Sequence, residues 1–423
     1  MATKLSVQVL EKNDYTQQTI CTLPTSVQLP PLAPSSIRVQ TSILALTTNN
    51  VSYAIGGSLL HWWDTYPVPK YVGSPYNDHT RYGTVSGWGY AKVLESTTSI
   101  TTGTLLKGYF PFSTIPTDLQ LTAAPVLGHW IETSPHRAEV MPFYHRYFAS
   151  SSLFSSALSN HELDSLAWDS LIGVLWECSY LFNHFVFSTK KALLTHPSGT
   201  DLPWTAADAD LSQATVILLA ASAKTALLFA DQLRNAREPG TDPLAIIGVT
   251  SGTSVPFVQK TRFHTSVLSY DELDQIHVSL ANNTKRIVVV DFGARGTVAE
   301  HLTSLLEARV PSSPLTMIGV GSEAKVYKPE DGEALFEKFQ RLKRIQANAS
   351  GVRDVAMKNL GEEKYFEEMS KAWQMVKERN GGPIPGMELG WGEGMVGENG
   401  VEGGWNKLCS GTVTPEKGLV FKL

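Results

Sequence analysis

ATVILLAAS (214–222), AKTALLFADQLRNA (223–236) and LAIIGVTS (244–251) decide the fold. The first and third are Val/Ile/Leu-rich runs of strand length, and the segment between them repeats apolar residues at helical spacing. Apolar strands separated by amphipathic helices are what a parallel sheet covered on both faces requires. The alternation continues downstream. VPFVQKTRF (255–263) predicts a short helix, TSVLSY (265–270) a third strand, and RIVVVDFGARG (286–296) a fourth strand with a glycine turn. VAEHLTSLLEARV (298–310) follows as its helix and LTMIGVG (315–321) as a fifth strand. The fold class is therefore α/β, with a doubly wound parallel sheet of the nucleotide-binding type.

Upstream the period changes. Residues 1 to about 150 are rich in Thr, Ser, Pro, Tyr and Trp, with alternating runs SIRVQTSILAL (36–46) and GWGYAKVLES (87–96). Such alternation, punctuated by Gly and Pro, predicts a β-rich barrel or sandwich. Bulky rings collect between these runs, among them Trp62, Trp63, Tyr66 and Tyr71. They either close a core under long loops or wall a substrate pocket. LDSLAWDSLIGVLWECSYLFNHFVF (163–187) is apolar on most faces and predicts a buried linking helix. Towards the C-terminus, EALFEKFQRLKRI (333–345) and GEEKYFEEMSKAWQMVKER (361–379) predict charged amphipathic helices. The Gly-rich stretch 381–411 predicts a surface loop or an insertion. Residues 1–175 with 322–423 are expected to form the β-rich unit, and 176–321 the cofactor-type unit.

Composition narrows the function. The chain has 423 residues, more than one ordinary core accommodates, with 42% hydrophobic and 18% charged residues, a globular balance. Its formal net charge is -5 and it has no basic block, which argues against a nucleic-acid partner. Cys21, Cys178 and Cys409 are too scattered for a disulfide framework or a C-x-x-C zinc site. Charges interrupt the N-terminus where a signal peptide needs an apolar core, and no apolar run reaches ~20 residues. A cytoplasmic protein with no membrane partner is expected.

The first βα turn of a doubly wound sheet is where a pyrophosphate meets backbone N–H groups and a helix N-terminus. The usual glycines are replaced here by Ala220-Ala221-Ser222-Ala223-Lys224-Thr225-Ala226. Ser222, Lys224 and Thr225 can bond or neutralise a phosphate; the alternative is an ordinary Ser cap followed by a solvated Lys. The spacing of a P-loop is absent. The second strand ends in Thr250 and Ser251 without the acid that grips a ribose, and Lys260 and Arg262 follow. Hydroxyls with a base suit a 2′-phosphate, favouring NADPH over NADH, with Tyr270 near the same group. Tyr66 to Lys70 satisfies Y-x-x-x-K, but two prolines forbid the helix that would align the pair. No G-x-S-x-G elbow or H-E-x-x-H pair is present.

With ALTTNNVSYAIGG (45–57), GTLLKGYF (103–110), GVTSGTSVPFVQKTRFHTSVLSYDEL (248–273) and VVVDFGARG (288–296), the chain resembles the zinc-free medium-chain dehydrogenase/reductase superfamily. NNVSYA, PHRAEVMPFYHRYF (135–148) and AASAKTA (220–226) resemble, more narrowly, a microbial domain family of unknown function related to quinone and enoyl reductases. The resemblance covers most of 35–325. It implies a GroES-like catalytic domain beside a Rossmann-like one, with Asn50 and Tyr53 where those reductases place groups beside the nicotinamide. It further implies NADPH-dependent reduction of an α,β-unsaturated or quinone-like carbonyl in microbial secondary metabolism, and a homodimer. Asn50, Tyr53, His136 and Tyr144 are the candidate catalytic donors. For His136-Arg137 a carbonyl clamp and a surface pair both remain open. So does a non-redox use of the fold (isomerisation, cyclisation, hydration or C–C cleavage), because the phosphate glycines are missing.

Overall fold

A computed structural model describes residues 4–24, 27–153, 159–323 and 342–423. The chain divides into two compact units, one formed by residues up to Leu171 together with Glu388–Leu423, the other by Ile172–Glu323 and the segment ending at Met387.

In the first unit, β1 (Leu5–Glu11) and β2 (Asp14–Leu23) form a hairpin to which β4 (Tyr82–Gly83) adds. The larger sheet holds β3 (Ser36–Leu46), β5 (Ser86–Ser96), β6 (Thr104–Pro111), β7 (Thr117–Ala123), β8 (His129–Glu132) and β9 (Arg146–Leu153), joined from the C-terminus by β16 (Glu388–Glu393) and β17 (Lys417–Lys422). Its order is β16-β17-β3-β5-β6-β9-β8-β7, and a further β3–β7 pairing closes the last six strands into a barrel. β3 makes this possible because its N-terminal half pairs with β7 and its C-terminal half, on the same edge, with β17. Among the described residues two helices belong here in full, α1 (Thr48–Ile55) and α10 (Val401–Cys409). The unit boundary falls inside α2 (Asn160–Leu181), which continues into a π-helical turn at Phe182–Val186.

In the second unit, β10 (Ala214–Leu219), β11 (Ala245–Thr250), β12 (Ser266–Ser269), β13 (Arg286–Asp291), β14 (Leu315–Gly319) and β15 (Ile345–Gln346) form an all-parallel sheet of order β12-β11-β10-β13-β14-β15. In order of appearance these are strands 3-2-1-4-5-6, so the direction of winding reverses between β10 and β13 and opens a crevice at their C-terminal ends. β10 and β11 are buried at every position, as their apolar runs predict. Among the described residues the helices of this unit are α3 (Ala206–Ala209), α4 (Lys224–Asn235), α5 (Val255–Thr261), α6 (Ile276–Ser279), α7 (Val298–Arg309), α8 (Ala349–Leu360) and α9 (Glu362–Lys377). Ile217, Val249, Val289, Leu302 and Met317 form the centre of its core.

Three expectations are corrected. Helices α8 and α9 belong to the parallel-sheet unit and not to the β-rich one, because the Tyr365 hydroxyl donates to Glu177 and Arg379 pairs with the buried Asp231. Within the expected helix 333–345, residues 333–341 lie outside the described residues, and Ile345 belongs to a strand. The Gly-rich stretch is not a surface loop throughout. It contains β16 and α10, and Gly404 lets α10 lie against Phe421, where a Cβ would meet the ring at 2.5 Å.

Candidate active site

The turn from β10 into α4 carries the signature of an anion site. Ala220 leaves the strand at φ 54, a left-handed conformation that glycine adopts freely and alanine does not. The backbone thus makes the tight turn a glycine would make. Ala223 precedes the helix and offers no side-chain cap, so the first N–H groups of α4 lack the usual side-chain acceptor. Lys224 then places an ammonium at the positive end of the helix dipole, where a cation is unfavourable. The residue is half-buried, and among the described residues no acid pairs with it. Desolvation pushes its pKa down to about 8. Uncapped N–H groups, a dipole and an unpaired ammonium all call for an anion.

Neighbouring hydroxyls join this turn. The Thr250 hydroxyl at the end of β11 donates to Ser222 Oγ at 2.9 Å. Ser251 Oγ lies 2.9 Å from Ser254 Oγ in the turn that follows. The structure therefore brings Ser222, Lys224, Thr225, Thr250 and Ser251 to the ends of β10 and β11. Lys260 is exposed on the last turn of α5, beside Gly386. Tyr270 opens the turn after β12, half-buried against the sheet core, and burial pushes its phenol up to about 12.

Two features escaped the sequence reading. His264 presses against Gly248 of β11; among the described residues neither of its buried ring nitrogens has a partner, and burial lowers its pKa to about 4. At the end of β13, Asp291 Oδ1 accepts from the N–H groups of Gly293 and Ala294 at 2.9 and 2.7 Å, and Oδ2 accepts from Arg344 at 2.8 Å. Arg344 lies over Gly319, where a Cβ would collide with its guanidinium, so that glycine is required. A lone His before a strand and an Arg distant in the chain give no motif to read.

In the first unit, Tyr53 and Tyr144 come together and Asn50 and His136 do not join them. The Tyr53 hydroxyl accepts from Asn49 Nδ2 at 2.8 Å and from Trp88 Nε1 at 3.0 Å. Its ring meets those of Tyr144, Tyr109 and Trp62 edge-on, at 5.7, 5.3 and 4.8 Å. Burial raises the Tyr53 phenol to about 12 and raises Tyr144 well above its ordinary value, so both are neutral hydrogen-bond donors near neutral pH. Asn50 is buried one turn away, its Oδ1 accepting from Thr47 N at 2.7 Å and its Nδ2 donating to the Ser86 carbonyl at 2.9 Å. It thus caps α1 and ties it to β5. His136 is exposed, on the turn Pro135–Arg137, at a separate cavity of about 260 Å³.

The fold has counterparts among solved structures. The CurA protein of Vibrio vulnificus superposes with a TM-score of 0.51 at 10% identity, covering 98% of each chain. CurF, a cyclopropanase from the curacin A biosynthetic pathway, gives 0.51 at 10% identity over 99% of each chain. At such identity the likeness concerns the fold. No curated protein matches the sequence. The resemblance read from the sequence, to a branch of unknown function beside the medium-chain reductases, agrees with these findings. A family profile matches residues 44–414, and the chain belongs to that family, the proteins of unknown function termed DUF2855.

Proposed function

We propose that the protein is an NADPH-dependent reductase of an α,β-unsaturated or quinone-like carbonyl, with a Rossmann-like cofactor domain in the second unit and a GroES-like catalytic domain in the first. The observation that carries this reading is the unpaired Lys224 ammonium at the uncapped start of α4, beside the Ser222–Thr250 hydroxyls at the winding reversal. The residues fit the cofactor. Ala220 makes the turn, small side chains leave the backbone approachable, and the charge that a diphosphate would neutralise has no acidic partner among the described residues. CurA, whose fold the chain shares, has also been crystallised with NADPH.

Lys224, Ser222, Thr225 and the first N–H groups of α4 would hold the diphosphate. Thr250, Ser251 and Tyr270 would face the adenosine side, and Lys260 would approach the 2′-phosphate. The chemistry NADPH would supply there is hydride for the β-carbon of the substrate. Tyr53 and Tyr144, kept neutral by burial, donate hydrogen bonds to the carbonyl oxygen and polarise it. Asn50 positions Tyr53 through α1. His136 acts in the first unit as a donor near its own cavity. A small-molecule substrate and a homodimer complete the reading.

Fluorescence titration with NADPH tests it. Saturable binding, tighter than for NADH and weakened in Lys224→Met, is expected; no saturation at ~1 mM removes the reading. Product mass gives the second arm, since reduction adds two hydrogens. A non-redox reading has its own support, because Ala220 strains a turn that glycine would relax and because CurF, of the same fold, is named for cyclopropane formation. An unchanged or hydrated product mass would select it.

A further inference from the structure

A small cavity inside the second unit takes no part in the reductase reading. Its volume is about 140 Å³, and Tyr180, Asn183, His184, Arg237 and Glu368 stand in its wall. It lies where the chain leaving α4 meets the π-helical turn Phe182–Val186. Since α4 spans 12 residues, about 18 Å, the cavity and the Lys224 turn sit at opposite ends of one helix. Turns of the π type are rare and frequently mark functional sites.

Three neutral acceptors hold Arg237. Its Nε donates to the Thr241 carbonyl at 2.8 Å, and its Nη1 donates to Asn183 Oδ1 at 2.9 Å and to the Phe187 carbonyl at 3.1 Å. Among the described residues no carboxylate reaches ion-pair distance; Asp242, Asp210 and Glu238 act on the guanidinium only from farther away. Nη2 has no partner among those residues and is not one of the sealed polar atoms, so it stays within reach of a ligand. An oriented guanidinium of unmatched charge selects a carboxylate.

The cavity is acidic at its other end. Tyr180 and His184 stack with centroids 4.3 Å apart and join the two ends. Arg237 and Lys190 act on His184, whereas Glu368 and Glu177 act on Tyr180. Glu177 is taken up by Tyr365 and Arg353. Glu368 pairs with Lys364 at 3.8 Å across one exposed turn of α9, a contact that contributes little and leaves the carboxylate available. At the rim, Lys190 and Glu238 lie 3.9 Å apart and offset each other. A lone anion would be repelled by Glu368 and a lone cation by Arg237, whereas a molecule bearing both charges satisfies both ends. Phe185, Phe187, Leu193 and Leu360 add an apolar wall.

We propose that this cavity binds a small zwitterion, a free α-amino acid with an apolar side chain, independently of any nicotinamide. Its carboxylate meets Arg237 and its ammonium meets Glu368 beside the Tyr180 ring.

Isothermal titration calorimetry of the full chain tests this with L-valine, with isovalerate, which lacks the ammonium, and with L-valinamide, which lacks the carboxylate. Valine should saturate, at least about ten-fold tighter than either analogue, with or without NADPH. Glu368→Gln, at an exposed helix position, should weaken valine about ten-fold and leave isovalerate unchanged. Arg237→Gln should weaken valine at least about ten-fold and leave valinamide unchanged; if that variant fails to fold, Glu368→Gln decides. The proposal is overturned if valine does not saturate by ~10 mM, if either analogue binds as tightly, if NADPH competes with valine, or if a folded variant leaves valine unmoved. Absence of NADPH binding with valine binding retained would count against the reductase reading alone.

Discussion

Lys224 shows how one side chain can weaken the free protein and serve its ligand. Its pKa falls from 10.5 to about 8 because the ammonium is desolvated without a partner. Charge is therefore a burden on the fold below about pH 8, relieved as pH rises from there towards 10.5. Lys224→Met should raise the stability of the ligand-free protein by about 2–3 kcal/mol in denaturant unfolding, while weakening NADPH at least about ten-fold. In the wild type, NADPH affinity should fall as pH rises through about 8, since the phosphate partner is lost. Ala220→Gly, by contrast, should stabilise by about 0.5–1 kcal/mol because it relaxes a positive φ. His264 sets the acid limit. Its folded pKa of about 4 lies below the ordinary 6.5, so its contribution is intact above 6.5 and is lost as pH falls towards 4. Unfolding curves at pH 7 and 5 should show His264→Leu losing about 2 kcal/mol less than the wild type between those values. His184, also near 4 through burial, adds a limb of the same sign.

At the level of elements, the C-terminal return tests how glycine builds close packing. Trp405 is fully buried in α10 and its indole N–H donates to the Tyr15 carbonyl at 2.8 Å. Trp405→Ala should cost about 3–5 kcal/mol in the unfolding of the β-rich unit, and Gly404→Leu should cost as much by driving a side chain into Phe421. This packing was not legible beforehand, because glycines that permit contact look the same in sequence as glycines that populate loops. β10, β11 and β13 were legible because their apolar runs are buried on both faces. Strand order was not, since nothing local to β13 states that it lies beside β10. The same division holds at the site. Ser222 and Thr250 could be named from their place at strand ends, whereas the Asn50 cap depends on Ser86 and the Asp291–Arg344 pair on a residue 53 positions away. Tyr53 and Tyr144 were named individually, but the ring cluster that makes them neighbours arises only when α1 and the turn Pro142–His145 fold over β5 and β6.

For the whole molecule, the order of the chain makes a prediction about unfolding. Residues of the first unit come from both termini, and β17 sits between β16 and β3 within the larger sheet. The second unit is the stretch between, with its own core around Val289 and Leu302. Two separate cores should give two calorimetric transitions, of which only one answers to NADPH. Binding to the native state stabilises by RT ln(1 + [L]/Kd), about 2.7 kcal/mol at a hundred-fold excess over Kd. NADPH should therefore raise the transition of the parallel-sheet unit and leave that of the β-rich unit in place. Deleting 388–423 removes two strands and α10 from the barrel unit, and it should abolish the β-rich unit's transition while the NADPH-responsive one persists. A single transition moved as a whole by NADPH would show that the units unfold together.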